Sequence, residues 1–379
     1  MPESRSKIKP GRARHHREPP PRHAMHCGHR GLCRWNPFAG RASSPPTPIR
    51  PRGPSDVAGS RGRERASAEP GKDAAARERP PRPPASVHRR VHGALLAGIS
   101  GAEALKSKPA VKVDPRDLLY IQQREFAVTL PQDGSVSILG TEDATTCHLV
   151  VLRHTGSGAT ALGHCDGSDT AVAVAKMLSA VKSLSDGCSN GRYEVHLVGG
   201  FLDQYLLSHR LTRELLEAFS IQSENMHLET YCVTELNDVM KQNIHWPVIY
   251  GIAINVKTGE IFRATFPDKG PDEDVRGART FLGGSMISIY DVKMEQLQIE
   301  PYEWSPFPDA EFWLQQPDHL ILESYSTSPI VEPPHFVKHM KNIFQFLSTN
   351  PKEALFPKGE PRIYKKTAEG YWERIYRTS

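Results

Sequence analysis

The sequence predicts an α+β fold, a mixed and largely antiparallel β-sandwich flanked by helices, preceded by a long basic tail expected to be disordered. Three observations carry this. From about Asp114 to Tyr376, strand-length apolar runs alternate with helical periods. Turn segments such as Gln132-Asp133-Gly134 and Lys257-Thr258-Gly259 separate strand-like runs, as hairpins require, where a regular parallel sheet would place helical crossovers. The charge is also split. Residues 1–100 hold 21 Lys+Arg against 7 Asp+Glu, leaving 27 basic and 36 acidic residues for the rest of the chain.

Residues 1–112 are rich in Arg, Pro, Gly, Ala and Ser, with runs such as Pro80-Pro81-Arg82-Pro83-Pro84, and bury too little apolar surface to order themselves. Their arginines resemble those of a mitochondrial transit peptide, but the prolines interrupt any long amphipathic helix. An apolar patch at Val91 to Ile99 is long enough for a helical turn or two. Cys27 and Cys33 with His23, His26 and His29 fit no regular zinc-finger spacing, so neither a metal nor another cofactor is expected.

The folded body is expected over residues 113–379. Its candidate strands are Leu118–Leu130, Ser135–Leu139, Thr145–Arg153, Ala159–His164, Tyr193–Gly199, His227–Val233, Val248–Val256 and Glu260–Thr265, with Arg362–Lys366 and Tyr371–Tyr376 closing the chain. Helices are predicted from Asp169 to about Leu184 behind a cap at Ser168 or Asp169, from Gln204 to Phe219 behind Asp203, and from Pro333 to Leu347. The last carries Phe336, Met340, Ile343, Phe344 and Leu347 at helical spacing. Gly199-Gly200 and Gly283-Gly284 lack a phosphate-loop pattern and are read as strand ends.

Composition excludes some classes of function. The net charge of +5 belongs to a basic tail on an acidic body, so no nucleic-acid partner is expected. Apolar runs such as Val248 to Val256 fall far short of the ~20 residues of a membrane span, and no membrane partner is expected either. Six cysteines without a repeated spacing point to a reducing compartment, the cytoplasm or the nucleus. A monomer is expected.

The chemistry concentrates around Cys147. The polar segment Thr141-Glu142-Asp143-Ala144-Thr145-Thr146 runs into Cys147 and then an apolar strand, which places the thiol at a strand mouth, both fixed and reachable. A thiol that attacks an amide needs a base and oxyanion donors. His148 is the sequence neighbour, but adjacent strand residues point to opposite faces. His164 lies seventeen residues on, the length of two strands and a tight turn, and a hairpin brings it back beside Cys147. His164 is therefore the expected base. Thr141 is placed to orient the imidazole or the substrate, and an ordinary turn accounts for it equally well. The backbone N–H groups of Thr146 and Cys147 are the expected oxyanion donors. Cys165 lies on the face opposite His164 and is not the nucleophile.

Asp143-Ala144-Thr145-Thr146-Cys147-His148, with Val150-Val151-Leu152-Arg153-His154-Thr155-Gly156, resembles the protein N-terminal asparagine amidohydrolase family. So do Leu119-Tyr120-Ile121-Gln122-Gln123-Arg124-Glu125, His164-Cys165-Asp166-Gly167, Val195-His196-Leu197-Val198-Gly199-Gly200-Phe201 and Glu332-Pro333-Pro334-His335-Phe336. The likeness runs from about Asp117 to Lys366. It implies Cys147 as catalytic cysteine and proteins or peptides with N-terminal asparagine as substrates, converted to aspartate and ammonia and so exposed to arginylation and ubiquitin-dependent degradation. The Thr141, Cys147, His164 spacing is also similar to that of the chemotaxis receptor deamidases, which implies the Cys-His deamidase fold of that family and the necrotizing toxins.

A Cys147 thiolate paired with a His164 imidazolium is the expected nucleophile. The substrate's free α-ammonium calls for an anionic partner, for which Asp143, Asp166 and Glu142 are the nearest carboxylates in sequence. Residues 1 to about 114 match none of that family's N-terminal stretch. A competing expectation is therefore a catalytically impaired interaction protein with an incomplete pocket.

Overall fold

The computed structural model describes residue 98, residues 100–304 and residues 307–376. The tail's Cys and His cluster lies outside them, as does most of the Val91 to Ile99 patch. The described residues include elements ahead of the expected boundary at 113. A helix over residues 100–107 (α1) buries Ala102 and Leu105, and β1 (Val111–Lys112) pairs in a sheet. Glycine permits the docking of α1. A Cβ at Gly101 would stand 2.7 Å from the carbonyl oxygen of Glu229.

Two sheets make the sandwich. One has the order β1-β12-β11-β4-β2, built from β2 (Leu118–Tyr120), β4 (Ile138–Thr141), β11 (Ile252–Asn255) and β12 (Ile261–Thr265) beside β1. The other has the order β13-β3-β6-β5-β7-β8, from β3 (Glu125–Thr129), β5 (His148–His154), β6 (Thr160–Cys165), β7 (Tyr193–Gly199), β8 (Met226–Val233) and β13 (Ile287–Ser288). Leu119, Leu139, Ile252 and Ile254 of the first share one apolar cluster with Leu149, Val151, Leu162 and Val198 of the second, so the sheets pack face to face. The opposite face of the larger sheet, with Val150, Leu152 and Leu197, packs on Val174 and Met177 of α2 (Thr170–Ser185) and Leu215 of α3 (Leu207–Ser220).

Most pairings are antiparallel, as expected, while β1·β12, β2·β4, β3·β13 and β7·β8 are parallel. The expected strand Leu118–Leu130 is broken, because Arg124 turns to a positive φ of 60° and carries the chain from one sheet to the other. The Gln132-Asp133-Gly134 turn therefore joins two sheets and closes no hairpin. The Lys257-Thr258-Gly259 turn does close one, between β11 and β12. Gly283-Gly284 ends a helix, α4 (Glu273–Phe281), and not a strand.

The helix starts are set by local chemistry. Asp203 accepts bonds from the N–H groups of Tyr205, Leu207 and Ser208 and so ties down the first turn of α3, but the helix starts three residues later than predicted and its N-cap position is Leu206, not Asp203. Helices α4, α5 (Ala310–Leu314), α6 (Asp318–Tyr325) and α7 (Phe336–Thr349) form a separate apolar cluster around Met340, Ile343 and Phe344. No described helix is long and apolar enough to cross a membrane.

Candidate active site

The β5·β6 ladder pairs Leu149 with His164 and His148 with Cys165. Directly opposed residues share a face and successive ones alternate, so Cys147, just ahead of β5, lies diagonally beside His164. His148 and Cys165 face the helices instead. The His148 ring sits 2.6 Å from the Thr212 hydroxyl on α3. The backbone holds the thiol's residue in place, since Gly200 N–H donates to the Cys147 carbonyl over 2.9 Å. Gly199 has φ 125°, and a Cβ there would stand 2.5 Å from that same oxygen.

The Thr141 hydroxyl lies 2.8 Å from Nδ1 of His164. Thr141 ends β4 and is fully buried, so it reaches the imidazole from the opposing sheet and not from a returning loop. With Nδ1–H donating to Thr141, Nε2 keeps its lone pair as an acceptor. That Nε2 is buried and without a partner among the described residues. Burial pushes the Cys147 thiol well above its usual range, helped by the nearby Asp166 and Glu332 charges. Burial also lowers His164 to about 4. Burial therefore disfavours the charged form of both partners, the thiolate and the imidazolium.

Cys147, only 9% exposed, and His164 line a cavity of about 240 Å³ whose lining also includes Phe281, Phe336 and Met340. Thr146 lines it too, its hydroxyl 3.4 Å from that of Thr327. The carboxylates nearest in sequence are already engaged. Asp166 pairs with Arg124 at 2.6 Å and accepts from Gln123 and Ser168. Asp143 takes Lys269 at 2.5 Å and His335 at 3.0 Å, and burial is outweighed so that its carboxyl falls to about 2. Glu142 lies 3.2 Å from the same Lys269.

Sequence reasoning missed Glu332. It lines the cavity, accepts from Ser326 Oγ at 2.5 Å and Thr145 Oγ1 at 3.5 Å, and burial pushes it up to about 7. Its separation from Cys147 along the chain left no local signal. Among the described residues no cluster of three or more His, Cys, Asp or Glu side chains is arranged to hold a metal ion.

A cavity in an α+β body, with titratable groups converging on it at displaced pKa values, is the anatomy of an enzyme site. Comparison with known proteins specifies which kind. Residues 108–374 match the family model described as protein N-terminal asparagine amidohydrolase. A curated protein of that name from Sus scrofa is 56% identical over 276 residues, covering 72% of this chain and 89% of the relative. The namesake from Mus musculus shares the same identity and coverage, and that from Arabidopsis thaliana is 30% identical over 284 residues, 68% of this chain and 80% of its own length. The chain belongs to the protein N-terminal asparagine amidohydrolase family.

Proposed function

We propose that the protein hydrolyses the side-chain amide of an N-terminal asparagine, giving aspartate and ammonia by way of a Cys147 thioester. The likeness to relatives of that name, spanning the whole described cavity, is the observation that carries this reading. As the Cys147 sulfur attacks the carboxamide carbon, its proton passes to Nε2 of His164, whose Nδ1–H is held by Thr141. The N–H groups of Thr146 and Cys147, which stand ahead of the β5 ladder, stabilise the tetrahedral oxyanion. Collapse expels ammonia, which takes the proton from Nε2. A water deprotonated by the same nitrogen then cleaves the thioester, releasing aspartate and restoring the thiol.

Burial that disfavours both charged forms suits this sequence, because the proton then moves when substrate is in place. The product's new N-terminal aspartate is the group that arginylation and ubiquitin-dependent degradation would read. The described cysteines, Cys147, Cys165, Cys188 and Cys232, are all free, which suits the cytoplasm or nucleus.

The test follows ammonia from peptides with N-terminal Asn, N-terminal Gln or internal Asn. Release from N-terminal Asn alone is expected, falling by about 10³-fold or more in Cys147→Ser. Equal release from Gln would exclude the narrow specificity, and undiminished release in the variant would remove the thiol from the mechanism.

A further inference from the structure

Taking that reaction as its basis, we propose that Glu332 is the counter-charge for the substrate's α-ammonium and the residue by which the cavity selects chain termini. Among the described residues five carboxylates line the cavity: Glu142, Asp143, Asp166, Glu273 and Glu332. Lys269 pairs with the first two, Arg124 with Asp166, and His339 with Glu273 at 3.6 Å. Among the described residues no cation stands within ion-pair distance of Glu332, whose bonds come from the hydroxyls of Ser326 and Thr145 alone. An ammonium arriving at any of the other four shares an occupied carboxylate. At Glu332 it supplies the charge that burial leaves unmatched.

Position agrees with this role. The α-nitrogen of asparagine is three bonds from the amide carbon, about 3–4 Å, so its anchor must lie in the same cavity as the thiol. Thr145, whose hydroxyl reaches Glu332, is two residues before Cys147. The anchor is also rigid. Glu332 precedes Pro333-Pro334, which restricts it to extended backbone, and it holds φ −63° and ψ 147°. With thiol and anchor both fixed, glutamine's extra methylene places its amide carbon about 1.5 Å out of register.

Charge couples binding to chemistry. The groups facing Glu332 are Ser326, Thr145, Asp143, His335, Cys147 and Tyr250, the last donating its hydroxyl to the Val331 carbonyl. Ionised Glu332 opposes formation of the Cys147 thiolate. A bound ammonium cancels that opposition, so the nucleophile is favoured only when a free terminus is present.

The experiment measures binding of an Asn-headed peptide and its N-acetyl twin to the full chain carrying Cys147→Ser, with and without Glu332→Gln. Ammonia release by the Cys147 forms is followed in parallel. The free peptide is expected to bind at least 100-fold tighter than its twin, and Glu332→Gln to reduce that preference at least tenfold by weakening the free peptide alone. Equal binding of both peptides, or an unchanged preference in a folded Glu332→Gln variant, overturns the proposal. Should that variant not fold, Glu332→Asp replaces it, with at least fivefold weaker binding of the free peptide expected and equality with the parent counting against. No ammonia from the wild type sinks the underlying reaction instead, while the binding comparison still decides the anchor.

Discussion

Thr141 gives the simplest test of the imidazole's setting, because removing its hydroxyl changes one hydrogen bond and almost no volume. In Thr141→Val the ring loses the acceptor that holds the proton on Nδ1, so part of the population carries it on Nε2, where it cannot take the thiol's proton. A fall of about 10–100-fold in kcat/KM for an Asn-headed peptide is expected, with a stability loss of only about 1–2 kcal/mol. Thr141→Ser should recover most of the activity. The checks are ammonia release and thermal melting side by side. The sequence brought Cys147 and His164 together because a hairpin is local, and two-residue alternation was enough to set His148 and Cys165 aside. Thr141 could be named but not placed, since its contact crosses between sheets. Glu332 was invisible as an anchor, because its position depends on how the segment ahead of α7 folds over the cavity.

Strand ends and helices differ in how openly the chain declares them. The bounds of β7 and β16 (Arg362–Lys366) match those expected, because β-branched and aromatic residues in each, Val195 and Val198 in one and Ile363 and Tyr364 in the other, stand between turn segments. Helix α4 escaped notice for a physical reason. Its covered face carries Arg276 and Arg279, which no apolar period reveals. Arg276 is buried against Glu125 at 2.6 Å and also donates to the Tyr120 carbonyl, so the face is polar by composition and core by position. The Gly199 turn at the end of β7 carries the prediction at this scale. Gly199→Ala combines left-handed strain with a Cβ pressed on the Cys147 carbonyl, for a loss of about 2–4 kcal/mol and a displaced nucleophile. Gly187→Ala is the control. Gly187 also has positive φ, 87°, but nothing lies within 4 Å of its added Cβ. It should cost about 1 kcal/mol and leave activity intact, whereas Gly199→Ala should lose at least tenfold in kcat at temperatures where it remains folded.

At the scale of the whole molecule, buried histidines set the response to acid. Burial lowers His148, His164 and His196 to about 4 in the folded chain, against about 6.5 when unfolded. Between those values the unfolded state binds more protons, so stability is full above about pH 6.5 and falls as pH drops toward 4. His148 and His164 are buried and each puts up to about 3 kcal/mol at risk, while His196 is only partly covered and contributes less. Glu332 works in the opposite sense. Its carboxyl is pushed up to about 7, so the folded state gains protons first as pH falls, and this returns about one histidine's share between pH 7 and 4.5. Asp143, held at about 2, begins to matter only below pH 4. The sum is a net loss of about 2–4 kcal/mol from pH 7 to pH 5, read as a fall in urea midpoint at constant m. Glu332→Gln removes the opposing group and should steepen that fall. A midpoint that stays level from pH 7 to pH 5 would mean that the buried imidazoles open to solvent before the chain unfolds, and with them the cavity that holds Cys147.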